Sequence, residues 1–205
     1  MIDRGLRRHK ELALAPVARL VPRAVHPTAL TVAAVVPGLG AAVAAAAGAP
    51  ALALALWLAN RTLDGLDGAV ARRSGRQSDI GAYADILLDV GVYAAIPLGI
   101  AAGQDSRAAW VAAAALLASF YVNAISWSYL SALLERRGAG AAARGDVTAV
   151  TMPPGLVEGA ETVILLGLAL AVPAWSVPVM WVMAAGVAVG VGQRAVAAAR
   201  ALRSP

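Results

Sequence analysis

Apolar residues fill this chain in long unbroken blocks, not in the alternation of a sheet or the narrow stripe of a water-facing helix. A helix that crosses a bilayer needs roughly 20 apolar residues. Six blocks approach or reach that length, at about 28–48, 50–70, 80–103, 107–133, 156–174 and 176–198. Ahead of them, residues 1–25 mix Arg7, Arg8, Lys10 and Arg19 with Leu6, Leu12, Leu14, Val17 and Leu20. That mixture predicts an amphipathic helix lying in the membrane interface, bent at Pro16. The pattern therefore predicts an all-α integral membrane protein: a six-transmembrane-helix bundle over 26–205, preceded by an interfacial segment over 1–25. Local signals add detail. Thr28 is the expected N-cap of the first span, with Pro27 biasing His26 away from helix. Pro37 should kink that span, Gly138–Gly145 should form a flexible loop, and Pro153-Pro154-Gly155 should stop it before the fifth span.

Composition agrees with this pattern. Of 205 residues, 60% are hydrophobic and 14% charged, against about 25% charged in soluble domains, and the mean hydropathy is +0.72. Much of the apolar content is alanine, which lets membrane helices approach closely. The basic residues set the orientation. Arg4, Arg7, Arg8, Lys10, Arg19 and Arg23 precede the first span, and Arg72, Arg73 and Arg76 separate the second from the third. Arg136, Arg137 and Arg144 separate the fourth from the fifth, and Arg194, Arg200 and Arg203 lie at the end, whereas the opposite connections hold only Arg107. Positive charge marks the cytoplasmic side, so both termini are expected there. The net charge of +5 follows membrane edges without interleaved aromatics, which favours anionic lipid over nucleic acid as its partner. There is no cysteine, which excludes disulfides and thiolate chemistry, and residues 1–25 lack the pattern of a cleavable signal peptide.

Chemistry concentrates between residues 60 and 89. Asp64 and Asp67 are three apart, Asp85 and Asp89 four apart, and both spacings put a pair on one helix face. A turn near Arg72–Ser78 would fold the two helices into a hairpin and bring the pairs together at the cytoplasmic end. An ionised carboxylate at bilayer depth costs about 2.5–3.5 kcal/mol, so four need cations. Arg61 and Arg72 supply two charges. Divalent cations would complete the balance, and an all-oxygen carboxylate site suits Mg²⁺ or Mn²⁺. Two such ions about 3.5–4 Å apart form the usual clamp for displacement at phosphorus. Gly68 and Gly81 remove side chains where a bulky ligand would reach the backbone.

The sequence Asp64-x-x-Asp67-Gly68-x-x-Ala71-Arg72, eight residues, then Gly81-x-x-x-Asp85-x-x-x-Asp89 resembles the complete signature of the CDP-alcohol phosphotransferase family. All eight fixed positions match, which chance would produce on the order of once in a billion starting points from average usage. The resemblance implies that Asp64, Asp67, Asp85 and Asp89 bind two divalent cations, Mg²⁺ or Mn²⁺, and that Asp89 is also the general base for the acceptor hydroxyl, with Asp85 beside it in catalysis. It implies that Gly68, Ala71, Arg72, Gly81 and Thr31 surround the nucleotide and diphosphate, that CMP leaves, and that the chain forms a homodimer. Thr28 stands where family members often have an amide.

The acceptor side is less specific. Asn123, Ser126 and Ser128 in the fourth span, Arg136 beyond it, and Glu158 and Glu161 at the start of the fifth are candidate acceptor contacts; the two acids equally suit a helix N-terminus. His9 and His26 suit the interface better than catalysis. The short, alanine- and arginine-rich chain matches bacterial usage, which implies the cytoplasmic membrane with the site facing inward. It also favours CDP-diacylglycerol as donor over a CDP-linked small alcohol meeting diacylglycerol. A divalent-cation transporter is the rival class, but only Asp105 lies on the far side.

Overall fold

Two prolines and two serines place the helix starts. In the computed structural model, which describes residues 16–22, 24–140 and 155–203, α1 covers Pro27–Ala46 and α2 Pro50–Ser74, each with proline in its first turn, where the missing N–H has no intrahelical partner to lose. Helix α3 covers Asp79–Gln104 and α4 Arg107–Arg136. Their N-caps are Ser78 and Ser106, whose hydroxyls accept from the Gly81 and Ala109 N–H groups at 3.2 Å. Helix α5 covers Gly159–Ala171, a 3₁₀ turn covers Pro173–Trp175, and α6 covers Ser176–Arg203. No strand occurs among the described residues. The expected loop over 138–145 and the stop at 153–154 lie largely outside them, as do residues 1–15 of the interfacial segment.

Each apolar block corresponds to one helix. Among the described residues, four stretches are long and apolar enough to cross a membrane: α1, α3, α4 and Pro173–Leu202. Helix α2 has the length but carries Arg61, Asp64, Asp67, Arg72 and Arg73 in its second half. Helix α5 has only 13 residues, because the backbone tightens into the 3₁₀ turn at Pro173 while the apolar block runs on. One local expectation is overturned. The N-cap of α1 is His26 in extended conformation, not Thr28, and no side chain caps it. Pro27 fits the first helical position and pulls the start back by two residues. Helix α1 continues through Pro37 and α3 through Pro97.

Helix α1 packs closely on both α2 and α3, and α4 packs closely on α6. Fewer contacts, from α5 to α2 and from α4 to α3, join these two halves. The shared core is Trp57, Ile96, Leu116, Leu166, Met180 and Met183 among many alanines. At Gly99 and Gly103, an added Cβ would collide with the carbonyls of Ala42 and Ala45. Four residues apart on α3, these glycines bring the α1 and α3 backbones together, as small residues do in membrane bundles. Outward-facing Val32, Val36, Val43, Ile125, Ile164 and Val182 leave an apolar exterior suited to hydrocarbon. Residues 16–20 are helical, and Ala18 packs with Leu66 and Val70 while its carbonyl accepts from Arg73.

Candidate active site

The turn after α2 decides which carboxylates meet. Gly75 closes α2 in the left-handed region (φ 64°), which glycine enters without strain. The Arg76 N–H bonds the Ala71 carbonyl at 3.1 Å, and three residues later α3 begins. The second half of α2 thereby faces the first half of α3 beside α1. A narrow cleft between the three helices is lined by Thr31 of α1, by Asn60, Arg61 and Asp64 of α2, and by Asp85 and Asp89 of α3. Three of the four signature aspartates thus share one cleft with Thr31. Asp67, 6% exposed, lies one turn further along α2 and outside the cleft lining.

Arg61 is the cation at the centre of this cleft. Its Nη2 lies 2.7 Å from Asp89 Oδ1, and its Nη1 3.8 Å from Asp64 Oδ2. Its Nε donates to Asn60 Oδ1 at 2.7 Å, and Nη1 donates to the Tyr93 hydroxyl at 2.8 Å. The guanidinium carbon sits 4.7 Å from the Trp57 ring centre and 4.8 Å from that of Tyr93, both within cation–π range. Those rings meet edge to face at 5.8 Å. Asn60 in turn donates to the Ala34 carbonyl of α1 at 2.7 Å, and Trp57 Nε1 donates to the Val163 carbonyl of α5 at 3.1 Å.

The glycines of the signature make room for their neighbours. A Cβ at Gly68 would lie 3.2 Å from Arg72 Nη1, and one at Gly81 3.1 Å from Ser78 Oγ and 3.7 Å from Thr28 Oγ1. Gly68 therefore lets the Arg72 side chain fold back along α2, and Gly81 lets the starts of α1 and α3 approach. Ala71, half-buried, supplies the carbonyl that closes the turn. Thr31 is buried, and its hydroxyl donates to the Pro27 carbonyl at 3.4 Å.

A second polar group lies between α4 and α6. Arg194, 6% exposed, donates through Nη1 to Asn123 Oδ1 and Ser126 Oγ, both at 2.8 Å. A Cβ at Gly155 would lie 3.1 Å from its Nη2. Glu158 Oε1 accepts from the Gly155 N–H at 2.8 Å, and Glu161 Oε2 accepts from the Glu158 N–H at 3.2 Å. Both acids therefore bond backbone at the start of α5. Arg136 is exposed at the end of α4, and Arg137 donates to the Leu202 carbonyl at 2.9 Å. Ser128 is exposed and bonds within its own helix.

Four residues important to this geometry escaped the sequence. Trp57 and Tyr93 do carry a local signal: Trp57 precedes Arg61 by four residues and Tyr93 follows Asp89 by four, so each shares a face with its partner, whereas Asn60 is only next to Arg61 in the chain. Arg194 carries none, because the charge rule for cytoplasmic ends already accounts for it.

The donor set suits a hard divalent cation. Asp64, Asp85 and Asp89 offer only oxygens, and among the described residues Arg61 is the single cation lining the cleft. As the side chains stand, no three acids or histidines among the described residues are close enough to hold an ion. Arg61 draws two of the carboxylates to itself. The residues fit a metal by chemistry and location.

Comparison with known proteins points the same way. The chain is 37% identical over 119 residues to Inner membrane protein YnjF of Escherichia coli (strain K12), an overlap of 58% of this chain and 56% of that protein. It thus spans little more than half of this curated relative. Among solved structures, it resembles Mycobacterium tuberculosis phosphatidylinositol phosphate synthase (PgsA1) with CDP-DAG bound, at a TM-score of 0.71 and 21% identity over 90% of this chain and 92% of that one. The same enzyme in complex with manganese and citrate gives 0.70 and 20%, over 90% and 88%. These two likenesses establish the fold. The family described as CDP-alcohol phosphatidyltransferase matches residues 24–192, a stretch that holds every signature position. An integral membrane chain with that match belongs to the CDP-alcohol phosphatidyltransferase family.

Proposed function

We propose that the protein transfers a phosphatidyl group from CDP-diacylglycerol to the hydroxyl of an acceptor alcohol and releases CMP, a step of phospholipid biosynthesis. The carrying observation is the convergence of Asp64, Asp85, Asp89 and Thr31 on one cleft between α1, α2 and α3. The CDP-DAG bound to the PgsA1 structure, a neighbour in fold, supports the donor. Divalent cations, two in this proposal and either Mg²⁺ or Mn²⁺, would be held by Asp64, Asp67, Asp85 and Asp89, and would neutralise the diphosphate and the leaving phosphate. Asp89 takes the proton of the acceptor hydroxyl as its oxygen bonds the phosphorus distal to cytidine. The bond from that phosphorus to the oxygen of CMP breaks, and CMP keeps the electron pair. Gly68, Ala71, Arg72, Gly81 and Thr31 border the nucleotide and diphosphate.

The acceptor contacts are drawn from Asn123, Arg136, Glu158 and Glu161, with Arg194 joined to Asn123. All six helices lie within or across the bilayer, both termini and the cleft face the cytoplasm of a bacterial cell, and the working unit is a homodimer. The test is CMP release by purified protein with CDP-diacylglycerol, Mg²⁺ or Mn²⁺, and a panel of acceptors: glycerol 3-phosphate, inositol phosphate, serine, inositol and phosphatidylglycerol. Acceptor-dependent CMP is expected, with a loss of about 10²–10⁴-fold in Asp89→Asn. No CMP with any acceptor, from folded protein that binds metal, would redirect the donor to a CDP-linked small alcohol.

A further inference from the structure

We infer that Arg61 is a positioning residue for the reaction: it holds the Asp89 carboxylate in the orientation that accepts the acceptor's proton. This rests on the proposed role of Asp89 as general base. Arg61 is outside the eight fixed positions of the signature, so nothing in that motif assigns it a task.

The geometry carries the inference because the guanidinium is fixed by groups other than the carboxylate it meets. Nε is tied to Asn60 and Nη1 to Tyr93. Its carbon also lies over the edge-to-face pair of Trp57 and Tyr93 rings. Asn60 is anchored on α1 through the Ala34 carbonyl, and Trp57 on α5 through the Val163 carbonyl. Nη2 is then presented to Asp89 Oδ1 at 2.7 Å from a scaffold that spans four helices. A fixed cation against one oxygen sets the torsion of the carboxylate, and with it the direction of Oδ2. A guanidinium that only balanced charge would need neither two rings nor two hydrogen bonds to hold its orientation. Lysine cannot reproduce that planar fork.

The test uses the full chain with CDP-diacylglycerol, Mn²⁺ and the acceptor that serves the wild type. Arg61→Met is expected to lower kcat about 10–100-fold, with the KM for donor within about threefold of wild type. Arg61→Lys should recover only part of that loss. In an Asp89→Asn background, Arg61→Met should cost nothing further, since the group it positions is gone. Tyr93→Phe keeps every charge and most of the packing, folds even where Arg61→Met does not, and should lower kcat a few-fold at unchanged KM. Losses that multiply in the double variant, or wild-type kcat in both Arg61→Met and Tyr93→Phe beside an inactive Asp89→Asn, overturn the inference alone. A wild type that releases no CMP overturns the functional proposal beneath it.

Discussion

Glu161 shows how one residue can suit two roles that a measurement separates. Its carboxylate accepts from the Glu158 N–H at 3.2 Å, the return half of an N-terminal capping box. Loss of such a cap costs about 0.5–2 kcal/mol. If capping is its whole task, Glu161→Ala lowers the thermal midpoint while the KM for acceptor stays unchanged, and Glu161→Gln, which keeps an acceptor oxygen, restores the midpoint. An acceptor KM that rises in both variants would instead make it a substrate contact. At this scale the sequence was most legible where partners are close along the chain. Asp64 and Asp67, or Asp85 and Asp89, are related by helix periodicity and by one short turn. Arg194 and Asn123 are 71 residues apart, and no local pattern relates them. A separation of 106 residues likewise hid the bond from Trp57 to Val163.

At the level of helices, backbone contact between α1 and α3 is the least forgiving feature. A side chain at Gly99 would strike the carbonyl of Ala42, and backbone cannot swing aside as a flexible side chain does. Overpacking typically costs about 1–3 kcal/mol, so Gly99→Leu should lower the thermal midpoint in detergent by several degrees. Gly192→Ala on α6, where a Cβ meets nothing within 4 Å, should leave it unchanged or raise it, since glycine costs a helix about 1 kcal/mol relative to alanine. Equal midpoints for the two variants would contradict the close approach. Apolar block length located α1 to α6 among the described residues, yet it overestimated α5, because hydropathy continues through Val172–Trp175 while Pro173 and the 3₁₀ turn change the backbone. Helix starts were read less well than helix bodies. Thr28 looked like a cap, and proline at the first helical position took precedence.

For the molecule as a whole, orientation in the membrane is the property that charge predicts and that a bundle alone does not fix. The chain contains no cysteine, so single cysteines report cleanly. Arg76→Cys, in the α2–α3 turn, should resist a membrane-impermeant maleimide in intact cells and react after lysis. Asp105→Cys, in the α3–α4 turn, should react from outside once the outer membrane is permeabilised. The reverse pattern would turn the cleft away from the cytoplasm.

The uneven packing of the helices has a consequence for how such a chain can change over time. Helices α1, α2 and α3 form one tightly joined trio and carry every signature residue, whereas α4 and α6 form a separate pair that meets the trio through few contacts. Substitutions in the pair are therefore separated from the carboxylates by a sparse seam of apolar residues. Under the proposed function, with acceptor contacts on the pair, one half can stay constant in its chemistry while the other drifts to fit a new alcohol.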